Sequence, residues 1–351
     1  MAETAGFTKG MTEPGRGGAG IIHGGDLDRA RVAFPDAPEP WVDLSTGINP
    51  WPYPLPAIPA DAWARLPARS AEAALREAAA ACYGAPSPEM VAAASGSQAL
   101  IQLLPRLRPP GTVAVLGPTY GEHAAGWAGA GHRVAEVASP EGVAADVDVV
   151  VAVNPNNPDG RILPAGTLLD LAERQARRGG WLVVDEAFAD VTPAASLSPF
   201  AGRPGLLVLR SFGKFFGLAG LRLGILLAEP ALAAAARGAI GPWAVSGPGL
   251  AVATAALSDR AWITATRARL DAGAQRFDRL LVKAGLTVAG GTSLFRLIRE
   301  PRAEELYQAL GRAGVLVRRF DYRADWLRFG LPKDEAEEDR LSHALCLPRK
   351  L

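Results

Sequence analysis

The chain has 351 residues, 49% of them hydrophobic and 21% charged, enough for one large or two medium globular domains with a substantial core. Its 37 Lys and Arg against 36 Asp and Glu leave a net charge of +1, which argues against nucleic acid or a polybasic membrane surface as the main partner. Cys82 and Cys346 stand in unrelated contexts with no CxxC pair, so neither a disulfide framework nor a metal site is indicated.

In chain order, residues 1–21 are Gly-rich and polar and read as a flexible tail. They lack the apolar core of a secretion signal, and no run of about 18 apolar residues follows anywhere, so a cytoplasmic protein without membrane spans is expected. Residues 22–58, dense in Pro and Gly, read as an extended arm. EAALREAAAACYG (72–84) predicts a helix closed by a left-handed cap at Gly84. TVAVLG, VDVVVAV, GWLVVDEAF, GLLVLRSF and LGILLAE are near-continuously apolar and predict buried strands, with helices SQALIQLLPRL and AGTLLDLAERQARR between them. That alternation predicts an α/β fold with a mostly parallel sheet covered on both faces, and a ligand site beyond the strands' carboxyl ends. After about residue 230 an Ala-rich helical stretch leads to the short strands SLFRLI and VLVRR and a last helix near 334–345. The expected division is a large domain over 59–235 and a smaller C-terminal α+β domain over 236–351.

SFGKFFGLAGLRLG (211–224) is the richest segment. Lys214 sits among Phe212, Phe215 and Phe216, where desolvation disfavours the ammonium and yields the free amine that Schiff-base chemistry requires. Arg222 and Ser211 can together hold a phosphate. The bland alternative is a strand-turn-strand whose lysine stem is buried. In VVDEAF, Asp185 ends an apolar strand, a costly place for an acid without a cationic partner, unless it merely caps the next helix. ASGSQAL opens a helix with small residues, making Gly96, Ser97 and Gln98 phosphate candidates, although such turns are common. NPNNPDG (154–160) by itself marks only a loop.

The pattern S-x-x-K-x-x-G-x-x-G-x-R-x-G over 211–224 resembles the lysine signature of fold-type I pyridoxal-phosphate enzymes. The order Ser97, Tyr120, Asn157, Asp185, Lys214, Arg222 matches that family throughout. The resemblance implies pyridoxal 5′-phosphate as cofactor, with Asp185 on its ring nitrogen, Asn157 on its phenolic oxygen and Tyr120 stacked on its ring. HGGD (23–26) and WVDLSTGINPWPYP (41–54) resemble the amino-terminal region of the L-threonine-O-3-phosphate decarboxylases of cobalamin biosynthesis, the aerobic-pathway type most closely. That likeness implies decarboxylation of L-threonine O-3-phosphate to (R)-1-aminopropan-2-ol O-phosphate, with Lys214 and Asp185 catalytic. It places His23, Asn49, Arg318 and Arg328 on a doubly anionic substrate, and it implies a homodimer.

Three positions depart from the family pattern. Phe188 stands where many aminotransferases have a tyrosine that bonds the cofactor oxygen, which weakens a transaminase reading. Gly213 precedes Lys214 where Ser or Thr is common. Leu66 stands where relatives commonly carry a tyrosine that reaches the neighbouring subunit's phosphate, a role open to Arg65 or Arg69. The competing readings are a phosphate-recognising aminotransferase, such as one acting on histidinol phosphate, and a pyridoxal-phosphate-binding subunit of a cobinamide-phosphate synthase assembly. Intact Lys214, Asp185 and Asn157 favour catalysis over the latter.

Overall fold

The computed structural model describes residues 23–346; the expected tail over 1–21 lies outside them. The arm is less extended than its composition suggests. It contains the helix Leu27–Ala33, whose N-cap Asp26 accepts from the Arg29 amide, and the two-residue strand β1 (Val42–Asp43). The helix Arg69–Tyr83 ends at Gly84, whose φ of 74° provides the left-handed cap.

Seven strands follow: β2 (Val91–Ala94), β3 (Thr112–Leu116), β4 (Arg133–Val137), β5 (Val149–Val153), β6 (Trp181–Asp185), β7 (Leu206–Ser211) and β8 (Gly224–Leu227). They form one sheet in the order β2-β8-β7-β6-β5-β3-β4. The pairs from β7 through β4 are parallel, whereas β8 runs antiparallel to both β7 and β2. Every residue of β3 and β5 is buried, because apolar clusters cover both faces of the sheet. Sequence patterning missed two strands of this sheet. β2 is an Ala run without the bulk that marks a strand, and β4 is a half-exposed edge with a polar start. Strand order reverses between β3 and β5, the point at which open α/β sheets bind ligands.

The Ala-rich stretch after residue 230 forms three helices, Pro230–Ile240, Gly247–Ser258 and Arg260–Lys283. Beyond them lie β9 (Thr287–Thr292), β10 (Phe295–Arg299), β11 (Val315–Leu316), β12 (Arg318–Phe320) and β13 (Arg323–Gly330). The order β12-β13-β10-β9 makes a second, antiparallel sheet; the helices Ala303–Arg312 and Arg260–Lys283 pack against β13 and β9, and the helix Glu335–Cys346 packs on Ala303–Arg312. β1 pairs in parallel with β11, and the Gly330 amide donates to the Leu44 carbonyl. The arm is therefore stitched to the C-terminal layer although it lies at the other end of the sequence. Among the described residues no helix is long and apolar enough to cross a membrane.

Candidate active site

A cavity of about 550 Å³ opens at the carboxyl ends of β5, β6 and β7, between the two sheets. Lys214, Asp185, Asn157, Ser97, Gln98, Tyr120, Ser211, Arg222, His23, Arg318 and Arg328 all line it. Gly96 and Asn49 do not.

Lys214 projects from the single-turn helix Phe212–Phe215 that follows β7. Burial, reinforced by Arg328 and Arg222 and opposed by Asp185, pulls its amine from the ordinary lysine range down to about 8. Near neutrality about a tenth of it is therefore free amine, against well under a hundredth for an ordinary lysine. Gly213 is dictated by packing, since a Cβ there would lie 2.6 Å from the Ala219 Cα. Phe188 packs edge-on against Phe295 at 4.9 Å, and its ring lies 5.9 Å from the Lys214 Nζ. The position thus offers an apolar wall rather than a hydroxyl.

Asp185 is 4% exposed at the end of β6. Its Oδ1 accepts from the Ala187 amide at 3.0 Å, and its Oδ2 lies 2.8 Å from the Nε2 of the buried His123. His123 is a partner of the site that sequence reasoning passed over, although it closes the same GPTYGEH segment as Tyr120. It orients the carboxylate as a second-layer imidazole does in many sites. Tyr120 donates to the Gln98 Oε1 at 3.3 Å, and burial, with Glu122 and Asp185 adding, pushes its hydroxyl up to about 12.

Arg222 adopts φ 55°, a left-handed conformation that a non-glycine residue holds only when its surroundings demand it. Its Nη2 reaches Gly96 so closely that a Cβ there would come within 2.6 Å. Gly96 therefore serves by yielding space, and Arg222, Ser211 and Ser97 form a small cradle for an anion.

Arg318 and Arg328 are directly opposite in the β12–β13 pair. Like charges in that relation destabilise a sheet. Burial and the charge of Arg318 pull Arg328 down to about 10. Arg328 Nη1 donates to Asn157 Oδ1 at 2.5 Å and Nη2 to the Ser45 carbonyl at 2.9 Å. Arg328 Nε and Arg318 Nη1 are buried without a hydrogen-bond partner. Two opposed cations with idle donors could hold an anionic ligand.

Asn49 takes a different role from the one expected of it. Only 2% exposed, it donates from Nδ2 to the Phe215 carbonyl at 2.8 Å and accepts at Oδ1 from the Trp51 amide, while its own amide donates to the Lys214 carbonyl. It braces the lysine turn from behind. The hairpin tip, with Asp321 and Tyr322, was not anticipated as a wall of the cavity. Leu66 is 68% exposed, and Arg65 pairs with Asp61 four residues earlier.

The sequence model of the aminotransferase class I and II family matches residues 55–345. The chain belongs to that family. It is 50% identical over 327 residues to the threonine-phosphate decarboxylase of Pseudomonas aeruginosa, covering 93% of this chain and 97% of that protein. Against the threonine-phosphate decarboxylase of a Sinorhizobium species it is 47% identical over 336 residues, covering 93% and 98%. A solved histidinol-phosphate aminotransferase from Sinorhizobium meliloti, in complex with pyridoxal-5′-phosphate, superposes with a TM-score of 0.71 at 26% identity, covering 81% of this chain and 83% of that one.

Pyridoxal 5′-phosphate fits this member of the family: a depressed lysine faces a buried acid, with a cationic cradle on one side and an aromatic ring on the other. The rate at which apoprotein captures added cofactor is expected to rise with pH through a midpoint near 8, because only the deprotonated Lys214 attacks a carbonyl. Arg328→Gln removes a charge that lowers the lysine, so the midpoint moves up; Asp185→Asn removes one that raises it, so the midpoint moves down. Stopped-flow absorbance across the pH range measures this, and a wild-type midpoint in the ordinary lysine range near 10.4 would refute it.

Proposed function

We propose that this chain is a pyridoxal-phosphate-dependent decarboxylase that converts L-threonine O-3-phosphate to (R)-1-aminopropan-2-ol O-phosphate and CO2, the step that supplies the aminopropanol phosphate of cobalamin. The observation that carries the reading is the Arg318–Arg328 pair, whose idle buried donors suit a substrate with two anionic ends. The near-half identity to threonine-phosphate decarboxylases over almost the whole chain supports it.

In this reading Ser97, Ser211 and Arg222 hold the cofactor's phosphate, Asn157 its phenolic oxygen and Asp185 its ring nitrogen, while Tyr120 covers the ring. The bound cofactor supplies the electron sink for the bond that breaks. Arg328 and Arg318 fix the substrate's carboxylate and phosphate, with His23 at the cavity mouth. The bond from Cα to the carboxyl carbon breaks and CO2 departs. Lys214 Nζ, holding a proton above Cα, delivers it there in place of the lost carboxyl. Phe188 supplies no hydroxyl beside the lysine, which separates this site from the aminotransferase pattern.

We further infer a cytoplasmic homodimer in which the large and small domains, over 59–235 and 236–351, enclose the cavity. Leu55, Trp63, Leu66 and Trp243, all more than half exposed, support a covered surface in the assembly.

The test is to supply the cofactor-loaded protein with threonine phosphate and measure CO2, the amine product and any keto acid. CO2 and amine in equal amounts, without keto acid, are expected. Keto acid from threonine phosphate or from histidinol phosphate would replace this reading with the aminotransferase one. Cofactor binding without any turnover until a second protein is added would favour a subunit of a synthase assembly.

A further inference from the structure

Glu122 is an unexpected neighbour for a site that takes a doubly anionic substrate. It lies in the first turn of the helix Glu122–Gly129, at the rim of the cavity, with a side chain only 15% exposed. Both of its oxygens are engaged. Oε1 lies 2.9 Å from the His23 Nε2, and Oε2 accepts from the Gln98 Nε2 at 2.7 Å. Gln98 in turn accepts from the Tyr120 hydroxyl, and the His23 and Tyr120 rings are 6.0 Å apart. One carboxylate therefore ties the arm and the helix start at Gln98 to the segment that carries Tyr120.

The segments belong to different layers. His23 leads into Gly24 and Gly25, and the Gly25 amide donates to the Ser45 Oγ at 2.7 Å. Gly24 has no room for a side chain, because a Cβ would lie 2.3 Å from the Ser45 carbonyl oxygen. Ser45 also accepts from Arg328 through that carbonyl, so this end of the arm is bonded to the C-terminal sheet. Gln98, Tyr120 and Glu122 belong to the seven-stranded layer. The His23–Glu122 contact spans the cavity mouth between them.

We propose that Glu122 is a positioning residue that latches the arm across the cavity mouth and so sets His23 for the substrate's phosphate. Bonded through Nε2 to the carboxylate, His23 can turn only its other ring nitrogen to a ligand, and its orientation is no longer free. Substrates that end in a phosphate gain from that placement, while an amino acid lacking the phosphate gains nothing. This inference rests on the decarboxylase reading.

The experiment is a double-mutant cycle of Glu122→Ala and His23→Ala in the cofactor-loaded enzyme, with Glu122→Gln as the conservative variant, read as kcat and KM for threonine phosphate and for threonine. Hydrogen exchange of the Gly25 amide is followed in parallel as a readout independent of turnover. Losing a charge-assisted bond is expected to raise KM for threonine phosphate about tenfold or more in either single variant, with kcat nearly unchanged. The double variant should be no worse than His23→Ala alone, Glu122→Gln should recover part of the loss, and the Gly25 amide should exchange faster in Glu122→Ala. Effects of the two substitutions that multiply, equal losses on threonine and threonine phosphate, or unchanged Gly25 exchange would each overturn the latch. Absence of CO2 from the wild-type enzyme would instead overturn the underlying reading, and the exchange measurement would still judge the contact.

Discussion

Lys214→Ala lowers CO2 release from threonine phosphate by more than about 10³-fold, the loss expected when one group both captures the cofactor and carries the proton. The effect is large because no other amine is available: among the residues lining the cavity Lys214 is the only lysine, and the arginines there stay charged. Lys214→Arg should do no better than alanine, since a guanidinium neither attacks a carbonyl nor gives up its proton at working pH. The Ala variant should also lose its cofactor on desalting, while the wild type retains it with a visible absorbance band. A small primary amine added to the Ala variant should restore part of the turnover, because the missing function is an amine at a defined place. Turnover of the Ala variant within about tenfold of wild type, measured without added amine, would remove Lys214 from the chemistry.

The residues most readable from sequence are those at the carboxyl ends of apolar strands. Asp185 ends β6, Lys214 follows β7 and Asn157 follows β5; a polar group there is conspicuous against continuous Val and Leu. The parallel sheet was legible for the same reason. What stayed hidden was pairing between distant elements. Nothing in GPTYGEH says that His123 meets an acid 62 residues later, because periodicity assigns a face but not a partner. Asn49 shows the converse. Its segment pointed to the right neighbourhood, yet the choice between binding substrate and bracing the lysine turn depends on hydrogen bonds to the Phe215 carbonyl and the Trp51 amide, which no local pattern encodes. The arm's strand β1 escaped notice because two residues pairing with β11, almost at the other end of the chain, carry no strand period.

The largest effect on stability is expected just behind the cavity, at the ends of the same strands. Arg210 is 3% exposed on β7, beside Ser211, which lines the cavity. Its Nη1 donates to Glu186 Oε2 at 2.8 Å and its Nη2 lies 2.7 Å from Asp190 Oδ1, while the Tyr83 ring covers its guanidinium at 4.3 Å. Burial opposes the charge, but Asp190 and Glu186 outweigh it and hold the guanidinium's pKa above its ordinary value. Glu186 is itself fully buried and accepts from the Ser196 and Ser198 hydroxyls and the Leu197 amide. Arg210→Met would strand two carboxylates in the interior and is expected to cost about 3–5 kcal/mol of folding stability, read by urea denaturation of the apoprotein. The cost belongs to the abandoned charges rather than to the lost arginine. Arg210→Met combined with Glu186→Gln and Asp190→Asn should therefore recover more than half of it, since neutral amides keep most of the surrounding hydrogen bonds. Because Glu186 and Arg210 directly follow and precede Asp185 and Ser211, the same network holds the ends of β6 and β7 in register beneath the cavity. Arg210→Met should accordingly weaken cofactor retention as well, and the triple variant should restore it. If the single and triple variants lose equal stability, the network contributes through packing volume and the stranded-charge account fails.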